Sequence, residues 1–314
     1  MFKEINNLIQ FEEAFPNELA CINHFRAIRW PNGMSCVHCG SMERVYDLKM
    51  GRHKCGDCKG KFTVRHDTIF GDSKLPLRTW YRAIFLMTSH KKGISSHQLG
   101  RDIGVTQKTA WFILHRVREA TLMTGYEEPL SGTIEADELF VGARAKWKHA
   151  DKGTSKGSGY GDKKKVLGLL QRGGDLRLMH MPQGDTQKTS PITAMQRALR
   201  SNIRPGSAVH TDEAPHYKWM GNMYAHSLVK HTLGEYVRGD VTTNRIEGAF
   251  GHFKRAVHGV YHKVSDEHLD KYLQMFAWRW NRREMGEGGR VNDLLQSTKG
   301  RRLTYKRLTR KMEG

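Results

Sequence analysis

Residues 243–254 read TNRIEGAFGHFK, and this stretch decides how the second half of the chain folds. On an α-helix, with about 100° between successive residues, its side chains form two stripes. The apolar stripe, continued past the quoted residues, predicts a face packed in a core and consists of Ile246, Phe250, Phe253, Val257 and Val260. The neighbouring polar stripe consists of Asn244, Glu247, Gly251, Lys254 and His258. A core helix with an amide, a carboxylate, an amine and an imidazole along one side is suited to holding a charged ligand.

Two acidic residues upstream of this helix lie where apolar strands end. Asp137 belongs to the run TIEADELF at 133–140, and Asp212 follows the run AVHT at 208–211. Divalent cations such as Mg²⁺ prefer carboxylate oxygens. Two strand carboxylates with a third group from a late helix therefore indicate a two-metal phosphoryl-transfer site that uses Mg²⁺ or Mn²⁺.

Two residues are candidates for the third metal ligand of such a site. Asn244 and Glu247 lie one helical turn apart on the polar stripe, so either can complete the site. Lys254 lies seven residues beyond Glu247 on the same stripe. The helix thus offers a ligand and, two turns further on, an amine.

Other acids lie beside the two aspartates and are rival candidates. Glu135 and Glu138 flank Asp137, and Glu213 follows Asp212. Strand alternation puts Glu135 on the face of Asp137 and points Glu138 away from it. A lone strand aspartate is also commonly a cap or an ion-pair partner, so the ordered set carries the prediction and no single residue does.

Cysteines near the N-terminus predict a structural zinc site. The motifs CVHC at 36–39 and CGDC at 55–58 are separated by fifteen residues. This spacing is typical of a zinc ribbon, in which two knuckles supply four thiolates to one tetrahedral Zn²⁺. The expected ligands are Cys36, Cys39, Cys55 and Cys58. The basic residues around them favour a ribbon that faces nucleic acid over one that only supports the fold.

Three helices after the ribbon predict a helix-turn-helix. The first covers residues 77–89, the second begins after the N-cap Ser95, and the third covers residues 106–118. In a helix-turn-helix the start of the last helix enters the major groove. The residues expected there are Thr106, Gln107, Lys108 and Thr109. A small helical bundle without DNA contacts is the alternative.

The overall charge favours a polyanionic partner. The 314 residues carry 52 Lys and Arg against 32 Asp and Glu, which gives a net charge of +20. Cations placed on phosphates release bound counterions, so such a chain binds nucleic acid readily. No apolar run of about 18 residues and no signal peptide are visible, which predicts a cytoplasmic, nucleoid-associated protein without membrane contact.

The sequence therefore divides into five predicted regions. These are an N-terminal helical segment (1–33), a zinc ribbon (34–70), a helix-turn-helix-like segment (71–124), a catalytic domain (133–284) with a basic loop at 145–165, and a basic C-terminal tail (285–314).

Together these motifs resemble insertion-sequence transposases of the DD(N/E)K type, in particular the ISXO2-like and Merlin-related group. The resemblance covers about residues 15–284. Besides the cysteines, it is carried by IEADE (134–138), HTDE (210–213), TNRIEG (243–248), FKR (253–255), HGVYH (258–262) and FAWRWNRR (276–283). It implies a ribonuclease-H-like α/β catalytic domain, with a mixed sheet flanked by helices, behind a zinc ribbon and a small helical DNA-binding segment.

The resemblance also implies roles for individual residues. Asp137 and Asp212 bind the catalytic metals, and Lys254 contacts DNA near the scissile phosphate. The Thr-Asn signature favours Asn244 as the third ligand, whereas the spacing to Lys254 favours Glu247.

The function implied is that of a DNA transposase. It binds the terminal inverted repeats of its element and the target DNA, both double-stranded, as a homo-oligomer that is at least a dimer. The alternatives are a zinc-ribbon/helix-turn-helix regulator without catalysis and a ribonuclease-H-like nuclease.

Overall fold

The structure, a computed structural model, describes residues 5–122, 126–142, 163–181 and 191–309. The chain forms two compact units, one made of Met1–Leu122 with Arg282–Gly314 and the other of Met123–Asn281. Most of the predicted basic loop 145–165 lies outside the described residues, which resume at 163. No helix in the described ranges is long and apolar enough to cross a membrane.

The first unit begins with helices and a small sheet. Its helices up to residue 120 are α1 (Leu8–Ala14), α2 (Glu18–Arg29), α3 (Leu77–Ser89), α4 (Ser96–Ile103) and α5 (Gln107–Ala120). Its strands are β1 (Val45–Asp47), β2 (Arg52–Cys55) and β3 (Lys61–Thr63), which pair antiparallel in the order β1-β2-β3.

The three predicted helices of the helix-turn-helix are present. The Ser95 hydroxyl caps α4 by accepting from the Gln98 amide at 3.1 Å, and Thr106 caps α5 by accepting from Thr109. Gly104 ends α4 at φ 70°, a left-handed conformation that glycine adopts without steric cost. Leu99, Ala110 and Ile113 are buried between the helices, whereas Ile103 and Val105 are only half-buried.

The second unit is built on a five-stranded mixed sheet. Its strands are β4 (Thr133–Val141), β5 (Lys164–Gln171), β6 (Leu176–Met181), β7 (Ala208–Thr211) and β8 (Ala225–Leu228), in the order β6-β5-β4-β7-β8. β5 is antiparallel to β4 and β6, whereas β7 is parallel to β4 and β8. This is the strand order of a ribonuclease-H-like sheet, and the predicted fold class is confirmed.

Helices cover both faces of this sheet. The elements after β6 are α6 (Pro191–Asn202), a 3₁₀ segment (Pro215–Asn222), the short hairpin strands β9 (Val237–Arg238) and β10 (Val241–Thr242), α7 (Asn244–Ala256) and α8 (Asp266–Asn281). Ile134 and Ala136 of β4 pack with α6, whereas Leu139 and Val141 pack with α7 and α8 on the other face. The strand alternation of β4 therefore assigns each of its acids to one face.

The apolar stripe of α7 lies in the core as predicted. Ile246, Phe250 and Phe253 are at most 4% exposed. The helix continues into a π-helical turn, Val257–Tyr261, in which Val257 is buried and Val260 is half-buried. The polar stripe of the same helix faces outward, because Asn244, Glu247 and Lys254 are exposed.

The C-terminal region differs from the expected basic tail. It contains α9 (Glu287–Gln296) and α10 (Tyr305–Thr309) and belongs to the first unit. The reason is an apolar set at helical spacing, because Val291, Leu294 and Leu295 are at most 2% exposed. α9 packs against α2 and α3.

Candidate metal and DNA site

Asp137 and Asp212 lie side by side in the register of two central strands. β4 and β7 pair in parallel with Glu135 opposite His210, and the two aspartates each lie two residues beyond these partners. Residues two apart on a strand face the same side of the sheet, and neighbouring strands are about 4.8 Å apart. The charge of Asp212 acts on Asp137, so the two carboxylates lie within electrostatic reach of each other.

Both aspartates have a raised pKa, and neither is paired with a Lys or Arg side chain among the described residues. Burial raises the pKa of Asp137 to about 7, and the charges of Asp212, Glu138 and Glu247 add to the rise. Burial also raises the pKa of Asp212, and the charge of Glu138 adds to it. Within the described residues, neither aspartate forms an ion pair with Lys or Arg. A bound cation would relieve both the burial cost and the repulsion.

Glu247 and Asn244 occupy the start of α7. Glu247 Oε1 accepts a hydrogen bond from the Thr243 hydroxyl at 2.8 Å and lies 3.5 Å from His231 Nε2. Its charge acts on Asp137, so it lies within electrostatic reach of the aspartates. Asn244 is exposed, and its backbone amide donates to the Thr242 hydroxyl at 3.1 Å.

Glu138 points away from Asp137 and holds the segment that follows Asp212. Its Oε1 accepts from His216 Nε2 at 2.5 Å and from the Tyr217 hydroxyl at 2.9 Å. Burial opposes the ionisation of Glu138, but the hydrogen bond from His216 and the charge of Lys165 outweigh it and lower its pKa. Glu138 therefore ties β4 to the 3₁₀ segment.

The other two rival acids are also engaged. Glu135 is fully buried, and its two carboxylate oxygens accept hydrogen bonds from Arg172 and from two amides of α7. Glu213 Oε1 accepts from the Thr232 amide at 3.1 Å. Asp137 Oδ1 and Asp212 Oδ1 also accept one backbone amide each, from Glu138 at 2.6 Å and from Ala214 at 3.1 Å, and neither Oδ2 accepts a hydrogen bond within the described residues.

The four cysteines fit a zinc ion. Cys36 and Cys58 Sγ are 3.6 Å apart, Cys39 and Cys55 Sγ are 3.7 Å apart, and all four cysteines are free thiols. Tetrahedral Zn–S bonds of about 2.3 Å place sulfurs about 3.8 Å apart, close to the observed distances. The cysteines are also the one group of at least three His, Cys, Asp or Glu in the described ranges whose ligand atoms all lie within 4.8 Å.

The acidic residues form a less compact cluster than the cysteines. Asp137, Asp212 and Glu247 do not all converge within 4.8 Å. Ligands on opposite sides of two ions that are about 4 Å apart can be separated by up to about 8 Å, given bonds of about 2 Å. The donor set consists of oxygens, which Mg²⁺ and Mn²⁺ prefer.

The predicted DNA-reading residues lie at the start of α5. Thr106, Gln107 and Lys108 are exposed, and Thr109 is half-buried. The two threonine hydroxyls lie 2.9 Å apart, and the Gln107 amide donates to the Ser96 hydroxyl at 2.8 Å. The Lys108 amine lies 5.0 Å from the centroid of the Tyr305 ring, so all four side chains make contacts within the first unit.

Comparison with known families defines the class of protein. Residues 129–281 match the sequence model of the ISXO2-like transposase domain, and residues 16–61 match that of the transposase zinc-ribbon domain. The chain therefore contains an ISXO2-like transposase domain and a transposase zinc-ribbon domain, as the sequence motifs predicted.

The chain is also similar to one curated protein and to one solved structure. A protein of Halobacterium salinarum, described as an uncharacterized protein in transposable element ISH50, is 28% identical over 280 residues, which are 85% of this chain and 92% of the relative. Among solved structures, the crystal structure of the Mos1 strand transfer complex matches with 15% identity and a TM-score of 0.26, over 71% of this chain and 77% of that one. A structural similarity of this size is too weak to relate individual residues.

Two residues that bind the neighbouring glutamates were not predicted from the sequence. His216 binds Glu138, and Arg172 binds Glu135. A histidine four residues after Asp212 is a weak signal that could have flagged His216. Arg172 follows a strand as one basic residue among many, so no local pattern distinguishes it.

Proposed function

We propose that the chain is a DNA transposase that cuts DNA at the ends of its element and joins those ends to target DNA. The observation that carries the proposal is the register of Asp137 and Asp212, two unneutralised carboxylates side by side within an ISXO2-like transposase domain. Cutting is the attack of water on a phosphodiester, which releases a 3′-OH. Joining is the attack of that 3′-OH on a target phosphodiester, so one site serves both steps.

We assign the catalytic metals to the acidic residues of the second unit. Asp137 and Asp212 hold two Mg²⁺ or Mn²⁺ ions, and Glu247 or Asn244 completes the site. When bound, the ions supply activation of the attacking oxygen and stabilisation of the leaving oxygen. Lys254 is exposed and forms no ion pair within the described chain, so its amine is free to bind a phosphate next to the scissile bond.

DNA recognition is assigned to the first unit. The start of α5 reads the terminal inverted repeats in the major groove, with Thr106, Gln107, Lys108 and Thr109 as the contacting residues. The zinc-bound ribbon adds basic contacts to the backbone. Both ends of the element must be held together, so the active species is a homo-oligomer that is at least a dimer. Because the substrate is DNA, we place the protein in the cytoplasm, associated with the nucleoid.

The test is a cleavage and strand-transfer assay on duplexes that carry the inverted repeats flanking this gene. Asp137→Asn and Asp212→Asn should remove both products while DNA binding persists, because amides bind divalent metals far less well than carboxylates. Asp175→Asn, in the turn between β5 and β6, is the matched control and should keep activity. Wild-type product from either active-site variant would contradict the assignment. DNA binding with no cleavage by the wild type would favour the regulator, and cleavage without end preference would favour the nuclease.

A further inference from the structure

The start of α7 is capped mainly from the sheet, because the neighbouring sequence supplies an acceptor only to the Asn244 amide, from the Thr242 hydroxyl. Thr243, the N-cap residue, makes no side-chain cap hydrogen bond. Instead, Glu135 Oε2 on β4 accepts from the amides of Arg245 at 3.0 Å and Ile246 at 3.1 Å. These amides lie in the first helical turn, where no intrahelical acceptor exists and where a negative charge is favourable. One carboxylate therefore fixes the start of α7 to β4.

The second oxygen of Glu135 extends this connection to two more elements through Arg172. Arg172 Nε donates to Glu135 Oε1 at 3.0 Å, and Arg172 Nη2 lies 3.3 Å from His210 Nδ1 on β7. The same guanidinium binds Asp240 in the hairpin before α7, with 2.8 Å to the carboxylate and 2.8 Å to the carbonyl oxygen. The Arg172 side chain is 14% exposed, and Glu135 is fully buried.

The residues of the Glu135–Arg172 pair and its partners lie close in sequence to the candidate metal ligands. Glu135 is two residues before Asp137, and His210 is two residues before Asp212. Arg245 lies between the two candidates for the third ligand. The geometry points to the Glu135–Arg172 pair as the contact that fixes Asp137, Asp212 and the start of α7 relative to one another. This inference rests on the proposed function. Both are positioning residues, because they act on the metals through Asp137, Asp212 and the start of α7.

A purely structural role predicts something different. A buried ion pair is often close to neutral for stability, but removing one partner leaves an uncompensated charge and destabilises the fold. If that were its whole effect, variants would lower Tm, and the molecules that remain folded would bind metal normally. A positioning role predicts weaker metal binding below the melting temperature, because outer residues that orient metal ligands typically contribute about 10- to 100-fold in affinity.

The experiment measures Mn²⁺ binding to the full chain without DNA, with Zn²⁺ already in place, by the EPR signal of free Mn²⁺. We expect Glu135→Gln and Arg172→Met to weaken binding about 10- to 100-fold and Arg172→Lys to weaken it less. The matched control is Arg177→Met, another buried arginine of the same sheet, which donates to Asn202 at 2.9 Å. It should lower Tm and leave Mn²⁺ affinity unchanged.

Two further readouts separate capping from charge pairing. Hydrogen exchange at the Arg245 and Ile246 amides should accelerate in Glu135→Gln before any metal is added, because their acceptor is weakened. The double variant Glu135→Arg with Arg172→Glu restores a charge pair but gives the α7 amides no acceptor from β4, so it should not restore Mn²⁺ binding. Arg172→Lys keeps the test informative if the stronger variants fail to fold.

Two results would overturn the inference. One is wild-type Mn²⁺ affinity in folded Glu135→Gln and Arg172→Met, and the other is recovery of affinity in the swapped pair. Failure of the proposed function is distinguishable, because Asp137→Asn and Asp212→Asn would then also leave Mn²⁺ binding intact.

Discussion

Asp137 is the residue whose ionisation should govern metal binding. Its pKa is about 7 in the folded chain against an ordinary 3.8, mainly because it is buried. Since the folded value is the higher one, this group stabilises the metal-free fold fully below pH 3.8, and the contribution is lost as the pH rises through about 7. A divalent metal competes with that proton, so metal affinity should rise over the same range.

The resulting prediction concerns the stabilisation by Mg²⁺. The increase in Tm caused by Mg²⁺ should be larger at pH about 8 than at pH about 6, and Asp137→Asn should lose this difference. Differential scanning fluorimetry of the full chain measures it. An equal Mg²⁺ effect at both pH values in the wild type would contradict the assignment.

The pKa of Asp137 can also distinguish Glu247 from Asn244 as the third metal ligand. Because the charge of Glu247 raises the pKa of Asp137, Glu247→Gln should lower that pKa, whereas Asn244→Ala should leave it unchanged. Carbon-detected NMR titration of the Asp137 carboxyl gives the answer. If neither variant moves the pKa, Glu247 does not face the aspartates and Asn244 becomes the better third ligand.

At the scale of elements, the close approach of α7 to the sheet depends on one glycine. Gly168 pairs with Asp137 across β5 and β4, and a Cβ there would lie 2.5 Å from the Phe250 ring and 3.0 Å from the Ile246 Cδ1. Gly168→Ala should therefore displace α7 and destabilise the fold by about 1–3 kcal/mol, with weaker Mn²⁺ binding. Chemical denaturation and the EPR titration measure the two effects.

The same helix offers a control for this prediction. Gly248 is exposed, and a Cβ there would meet nothing within 4 Å. Gly248→Ala should stabilise the protein by about 0.5–1 kcal/mol, because alanine loses less backbone freedom in a helix. Adding Phe250→Leu to Gly168→Ala should recover part of the loss. Equal effects of the two alanine substitutions would show that Gly168 is not a contact point.

Features of these elements that depend on neighbouring residues could be predicted, whereas contacts between distant residues could not. The two stripes of α7 and the faces of β4 follow from local periodicity, and the cap Ser95 follows from residue type, so each could be predicted. Thr106 was expected inside the third helix, whereas the structure makes it the N-cap of α5. The Glu135–Arg172 contact joins residues 37 positions apart, and its contacts with α7 span 110 residues or more. No local pattern encodes such pairings, because they depend on how strands and helices pack after the chain has folded.

The C-terminal region shows the same limit. The spacing of Val291, Leu294 and Leu295 suits a helix, but the many basic residues around them suggested a tail. What the sequence could not supply was the partner surface, which α2 and α3 provide in the first unit.

At the scale of the whole molecule, the ribbon should depend on its metal. Its core within the described residues consists of Cys36, Cys55 and Phe62 with a few half-buried neighbours, which is too little to fold a segment of this size alone. The purified chain should contain about one zinc ion. Cys58→Ser, or a strong chelator, should accelerate hydrogen exchange in β1–β3 while β4–β8 stay protected.

Hydrogen-exchange mass spectrometry measures the exchange rates, and atomic absorption measures the zinc content. Unchanged exchange in the ribbon after the zinc is removed would show that the metal is not structural. Exchange that accelerates equally in β4–β8 would show that the two units do not fold independently.

A change of metal preference tests whether Asp137 and Asp212 bind the catalytic metals. A thiolate is a softer ligand than a carboxylate and suits Mg²⁺ poorly, whereas Mn²⁺ tolerates it better. The measurement is cleavage of duplexes carrying the inverted repeats by Asp137→Cys and Asp212→Cys in each metal. Both variants should lose activity with Mg²⁺ and recover it with Mn²⁺, while the wild type should use both ions. Equal activity of the variants with Mg²⁺ and Mn²⁺ would contradict it.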